Sequence, residues 1–424
     1  SIIYAVMFRT VLNSWSLFFG LSFIMMANGL QGTLLGINAV QYNFNVVATG
    51  LIFTGYFVGY LVGSMSMPSF ISSVGHIRVF AAFASLASIA ILLHWLFINP
   101  YAWAIIRLIT GFSMAGIYVV CESWLNDRAD NDTRGRLLSF YFLILFISQG
   151  MGFFLINISP TLDAHLYVLA SVLISLGLVP ILMTKKPAPD FNLPKRTSLK
   201  DVYLKSPLAF IGGLTMGIIF GALFGLLAVF AAKINLTILE ISILVCANNF
   251  AGGLSQYPIG WLSDRMDRRH LISYLSIASL ITVILAFTLG QFSFWLLVIF
   301  ISLHAAVAFP IYSISIAHMN DFMEKEEMVS ASSTISVING IGASCGPLLA
   351  SLFMSGFGPY GFIIFLIVIY GSLIPFCLYR VKLDRTRDFV EENRPTILVP
   401  ITASVMGVQM ATEESIMRSE EDET

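Results

Sequence analysis

Two bilayer-length apolar runs, residues 241–262 and 271–290, follow one another with only a dense cluster of charge between them. Each is close to the ~20 residues needed to cross a hydrocarbon core. Charged side chains at that depth cost a few kcal/mol each, roughly 3 on insertion scales. The stretch 260–270, reading G-W-L-S-D-R-M-D-R-R-H, must therefore be a short turn held at a membrane surface. Its parts suit that place. Gly260 allows two helices to approach closely, Asp264 can cap a helix start, and Arg265, Arg268 and Arg269 favour the cytoplasmic side.

The rest of the chain extends the pattern. Apolar residues make up 57% and charged residues 11% of the 424 positions, a charged share well below that of soluble domains. Twelve spans are expected, at roughly 14–37, 46–70, 79–98, 102–125, 137–158, 166–184, 207–231, 239–262, 271–291, 294–319, 329–354 and 360–380. The predicted fold class is thus an all-α integral membrane protein. Its expected divisions are a six-helix half over 1–184, a linker over 185–206, a second half over 207–380 and a polar tail over 381–424.

Orientation follows from the basic residues. They crowd the even-numbered loops and the ends, with Arg78, Arg128, Arg134, Arg265, Arg268 and Lys325 among them, while the odd-numbered loops carry only Lys233. That asymmetry places both termini and the linker in the cytoplasm. The linker, rich in proline and basic residues, reads as a flexible connector facing lipid head groups. The tail ends in Glu420-Glu421-Asp422-Glu423 and reads as solvated and disordered. Met7 is a candidate start, and no cleavage site follows the first apolar run. The cysteines, Cys121, Cys246, Cys345 and Cys377, lie in apolar segments and read as small buried hydrophobes, not as a disulfide or metal set.

An internal repeat divides the spans in two. Ile117-Tyr118 and Asn126-Asp127 recur as Ile311-Tyr312 and Asn320-Asp321 at one constant offset. The first-half counterpart of the charged turn, 68–78, keeps Gly75 and Arg78 but has Ser72 where an aspartate would stand. The turn at 260–270 resembles the loop signature of the major facilitator superfamily (MFS), G-x-L-a-D-R-x-G-R-R, with Asp267 in place of the second glycine. Arg107-Leu-Ile-Thr-Gly111 resembles that family's fourth-span motif. Gly342-Ala-Ser-Cys-Gly346-Pro347 is similar to its G-x-x-x-G-P element, here in the eleventh span. The runs 29–36 and 122–128 resemble a bacterial branch, the YcaD-like permeases. The resemblance implies the MFS fold, two six-helix pseudo-repeats around a central cavity, in an inner-membrane carrier that works as a monomer.

Several residues are candidates for transport. Arg107 is the only Lys or Arg inside a span, and it shares one helix face with Gly111, Met114, Tyr118 and Glu122. It either meets an anionic group of a solute or bonds carbonyls of a neighbouring helix. Asn28 and Gln31 share a face of the first span and, with Arg107, Tyr118 and Tyr312, form the substrate-binding set. Asn248, Asn249 and Gln256 read instead as interhelical glue. Glu122 and His304 are the proton-coupling candidates. The plainer reading of Glu122 is a latch onto Arg78 or a nearby loop arginine, and that of His304 is a packed, hydrogen-bonded ring. The gating set is Gly260, Asp264, Arg265, Arg268, Arg269 and Arg78. Gly55, Gly59 and Gly63 form a close-packing stripe.

No H-E-x-x-H, P-loop or serine elbow occurs, so neither an enzyme nor a nucleotide-driven pump is expected. No cofactor, metal or catalytic residue is expected, and a net charge of -1 gives no reason to expect nucleic-acid binding. The expected function is secondary, proton-coupled transport of a small organic solute, anionic or acceptor-rich, across the bilayer. An uncoupled facilitator, an efflux carrier and a non-transporting sensor or scaffold stay open.

Overall fold

A computed structural model describes residues 14–128, 134–183, 197–383, 395–396 and 398–422. The helices are α1 (Trp15–Gln41), α2 (Val46–Val74), α3 (His76–Leu96), α4 (Pro100–Arg128), α5 (Arg134–Leu155) and α6 (Ala164–Leu182). They continue with α7 (Leu199–Lys205), α8 (Pro207–Lys233), α9 (Ile238–Leu254), α10 (Gln256–Ser263), α11 (Arg268–Thr288) and α12 (Phe294–Ala308). The last are α13 (Pro310–Asn320), α14 (Lys325–Phe357), α15 (Gly361–Leu383) and α16 (Val405–Asp422). Among the described residues there is no strand. Among the described residues, twelve stretches are long and apolar enough to cross a membrane, and each coincides with one expected span.

Two of the twelve are broken. The eighth span divides at Ser255 into α9 and α10, with Pro258 in the first turn of α10, where its missing N–H goes unused. The tenth divides at Phe309, with Pro310 opening α13. Pro310 therefore marks a change of helix. Pro68, Pro180, Pro347 and Pro375 lie within helices that continue past them.

The chain forms two compact units, Ser1–Leu193 with Leu227–Ile243, and Pro194–Leu226 with Leu244–Thr424. In the first, α1 packs on α5 and α6, α3 on α4 and α6, and α2 lies along α4. The α2–α4 contact depends on the glycine stripe. A Cβ on Gly55 or Gly59 would strike the carbonyls of Ala104 and Leu108, and one on Gly63 would meet Phe112 and Ala115. Backbones this close let long side chains from α4 lie flat on α2. In the second unit, α8 meets α14 through Gly217 and Gly221 against Gly342 and Gly346. There α11 packs on α12 and α15.

Three expectations need correction. The linker's second part is not a free connector: α7 docks on α14, and Thr197 bonds Ser330 at 2.8 Å. Residues 184–196 lie outside the described set. The tail is not solvated: α16 packs on α14 with Val408, Met410 and Ala411 fully buried. Its apolar residues, not its acidic end, decide where it goes. Finally, Cys121, Cys246 and Cys377 are buried, but Cys345 is exposed.

Candidate functional site

In the first unit α4 presents Arg107, Met114, Tyr118 and Glu122 inward, all of them buried. Arg107 is 0% exposed and its Cζ stands 4.3 Å from the centre of the Tyr56 ring and 5.9 Å from that of Phe53. Its Nε, Nη1 and Nη2 have no hydrogen-bond partner among the described residues. A desolvated cation–π contact contributes about 2 kcal/mol. Withdrawing an ion from water costs several kcal/mol even after relaxation, so the rings alone leave Arg107 under-compensated.

Polar groups converge on the same rings. Asn28 of α1 stands near the Tyr56 hydroxyl, and its Oδ1 has no hydrogen-bond partner among the described residues. Gln31, one helical turn along, is 1% exposed and its Nε2 is likewise unpartnered. Tyr60 bridges Tyr56 and Tyr118 at centroid distances of 6.3 and 5.9 Å, and the Tyr118 hydroxyl reaches Met25 Sδ at 2.9 Å. Helices α1, α2 and α4 thus build one cluster of bare donors and acceptors on an aromatic wall. Tyr56 and Tyr60 escaped sequence reasoning because in a glycine-striped span they look like ordinary packing residues.

Glu122 is 0% exposed and accepts a hydrogen bond from the Tyr141 hydroxyl of α5 at 3.0 Å. The expected latch to Arg78 does not form. Arg78 is exposed at the start of α3, and a hydroxyl from another helix serves the carboxylate instead. The loop arginines Arg128, Arg134 and Arg136 have side chains outside the described set.

In the second unit His304 is buried and its Nε2 pairs with the Tyr370 hydroxyl of α15 at 2.8 Å. Tyr312 is buried, at 1% exposure. Of the glue residues, Gln256 has its Oε1 3.0 Å from the Ser313 hydroxyl oxygen.

The charged turn forms the densest polar cluster of this unit. Arg268 Nε donates to Ser263 Oγ at 3.1 Å, Nη1 to the buried Asp321, and Nη2 to Thr396 Oγ1 at 3.0 Å and more weakly to Asp264 Oδ1 at 3.4 Å. Asp264 does not cap a helix start; it is the C-terminal cap of α10. It accepts the Thr396 N–H at 2.8 Å, and the cap of α11 is Asp267, which accepts the Arg269 N–H at 2.8 Å. Burial alone would raise the Asp267 carboxyl. Hydrogen bonds from Arg269, with the charges of Arg269 and His270, outweigh it and bring the pKa down from 3.8 to about 2. Arg265 stacks on Trp261 at 4.0 Å, and Gly260 faces Leu398 of the tail instead of a second helix. Asp321 is the residue missed here, although its repeat partner Asp127 had marked the position.

The sequence profile of the Major Facilitator Superfamily matches residues 17–240 and 209–408. The chain belongs to this superfamily. It is similar to the uncharacterized MFS-type transporter YcaD of Escherichia fergusonii, 23% identical over 337 residues that cover 79% of this chain and 87% of that one. YcaD of Escherichia coli K12 is 24% identical over 343 residues, 80% and 88% of the two chains. Among solved structures, the nucleoside transporter NupG superposes with a TM-score of 0.70 at 14% identity, over 88% of this chain and 100% of that one. An inward-facing, occupied bacterial homologue of the human lysosomal transporter Spinster gives 0.66 at 12% identity, over 95% and 96%. At such identities the likeness is one of fold. The protein is an MFS transporter of the multi-pass, twelve-span kind.

Proposed function

We propose that this MFS protein is a secondary carrier moving a small organic solute with a negative charge or strong acceptor group by alternating access. The observation that carries this reading is Arg107, fully buried with three guanidinium nitrogens unpartnered. A guanidinium stays charged at any relevant pH, and its planar fork matches a carboxylate or phosphate. Asn28 and Gln31 add neutral donors and acceptors to orient the solute, and Tyr118 of the same unit supplies an aromatic contact. The carrier sits in a bacterial inner membrane as a monomer, with both termini and the 264–268 turn on the cytoplasmic side.

Coupling to protons falls to Glu122. It shares the inward face of α4 with Arg107, and Tyr141, which donates to it, is a hydroxyl that can bond either protonation state. His304, held by Tyr370 on the last span, supports a packing role better than a proton pathway. A thermal-shift screen of small carboxylates and their neutral amides on purified protein, followed by flux in proteoliposomes, tests the proposal. Arg107→Lys should bind carboxylates about tenfold more weakly and Arg107→Gln more weakly still, both remaining folded. Glu122→Gln should lose pH-driven accumulation and keep counterflow. Equal affinity in the two Arg107 variants would remove the anion site. PH-driven uptake surviving in both Glu122→Gln and His304→Gln would leave a facilitator, and binding without flux would leave a sensor.

A further inference from the structure

Residues 395–396 and 398–422 fold as one hook. Ser404 caps α16 by accepting the Met406 N–H at 3.1 Å, and Ser415 within α16 donates to the Pro395 carbonyl at 2.7 Å. The stretch before the helix is gripped at its backbone. The Ser313 hydroxyl of α13 donates to the Val399 carbonyl at 2.8 Å and accepts the Val399 N–H at 3.2 Å. A Cβ on Gly260 of α10 would stand 2.5 Å from Leu398 Cδ2, so the glycine makes room for the hook.

The gripping elements are α10 and α13, the short pieces beyond the breaks at Ser255 and Phe309. Element ends of this kind absorb the backbone rotations of hinge and shear motions. Leu398 lies on one piece and Val399 on the other, so the hook ties them together. It also completes the charge cluster. Thr396 is a closer acceptor for Arg268 Nη2 than Asp264, at 3.0 against 3.4 Å, and its N–H serves Asp264 at 2.8 Å. Without the hook, a buried guanidinium and a carboxylate each lose a short hydrogen bond, which leaves them free to re-pair.

We infer that this hook is a reversible strap that locks α10, α13 and the 264–268 turn in one arrangement, and that its release lets this end of the second unit move. A permanent part of the fold would hold whatever the state of the carrier. A strap opens, and the surface beneath it becomes reactive.

Ala317→Cys on α13 places a thiol among Pro395, Val399 and Ala411, under the hook. Its rate of maleimide labelling is measured in purified full-length protein in nanodiscs, with the exposed Cys345 replaced (Cys345→Ser) and no solute required. The result therefore stands apart from the fate of the anion-carrier reading. Adding Thr396→Pro, which removes both polar groups offered to the cluster, or Ser313→Ala, which removes the Val399 grip, should speed labelling about tenfold. A Gly260→Cys/Leu398→Cys pair, bridged by a short thiol cross-linker before the thiol at 317 is unmasked, should slow labelling. Cleaving the bridge should restore it. Should Thr396→Pro misfold, Ser313→Ala and the bridged pair still decide the matter. Labelling that ignores the bridge, or that is unchanged in both weakened variants at a normal thermal midpoint, overturns the strap.

Discussion

Two arginines, one in each unit, are buried to nearly the same degree, Arg107 at 0% and Arg268 at 2% exposure. Their surroundings are opposite. Arg268 has an acceptor for each nitrogen and a buried carboxylate, Asp321, on Nη1. Arg107 has two aromatic rings and no hydrogen-bond partner among the described residues. A buried charge with all its donors satisfied is part of the architecture. One whose donors find no acceptor among the described residues is the place where we propose that a solute binds. Burial alone would have classed the two together; the donor inventory separates them.

The comparison breaks most readily at Asp321. Asp321→Ala strands a buried guanidinium and should cost about 3–5 kcal/mol, read as a large fall in thermal midpoint or loss of folded yield. A fall no larger than that of a surface substitution would mean that Asp264 and Thr396 suffice, and that Arg268 is no better anchored than Arg107.

Arg107→Met sharpens the other side. Removing an ion whose desolvation exceeds its cation–π gain should leave the midpoint unchanged or raise it by the equivalent of about 1–2 kcal/mol. Carboxylate-induced stabilisation should vanish in the same variant. A destabilisation comparable to that of Asp321→Ala would show Arg107 to be a structural donor and dissolve the contrast.

Much of this was legible in the sequence because bilayer length and charge exclusion act residue by residue. The spans follow from apolar runs, and Arg107 stood out because a charge inside such a run is costly wherever it points. Partners were not legible. Tyr141 finds Glu122, and Thr396 finds Asp264 and Arg268 across more than a hundred residues, with no periodicity linking them. The hook was hidden for another reason. Its acidic last residues dominate a reading of composition, while Val408, Met410 and Ala411, which bury it, form too short an apolar set to register as a span. The break at Ser255 was masked by apolar residues on both sides, though Pro258 three positions on was a signal for it.

The smallest expected effect sits at the one departure from the family's loop pattern. Asp267 caps α11 and pairs with Arg269 Nη2 at 2.6 Å, with about a quarter of its side chain exposed at 25%. Asp267→Asn keeps an acceptor for the Arg269 N–H and loses the ion pair, so the loss should be roughly 0.2–1 kcal/mol. The pH dependence has a definite sign. A carboxyl whose folded pKa is about 2, below its usual 3.8, contributes stability in full above 3.8 and loses it as pH falls through about 2. The midpoint difference between parent and Asp267→Asn should thus hold steady from neutral pH to about 4 and shrink below that. A difference that widens on acidification would show that the carboxyl is raised by burial, not lowered by Arg269. The turn would then resemble Arg107, a charge its neighbours fail to satisfy, and would no longer share the paired character of Arg268.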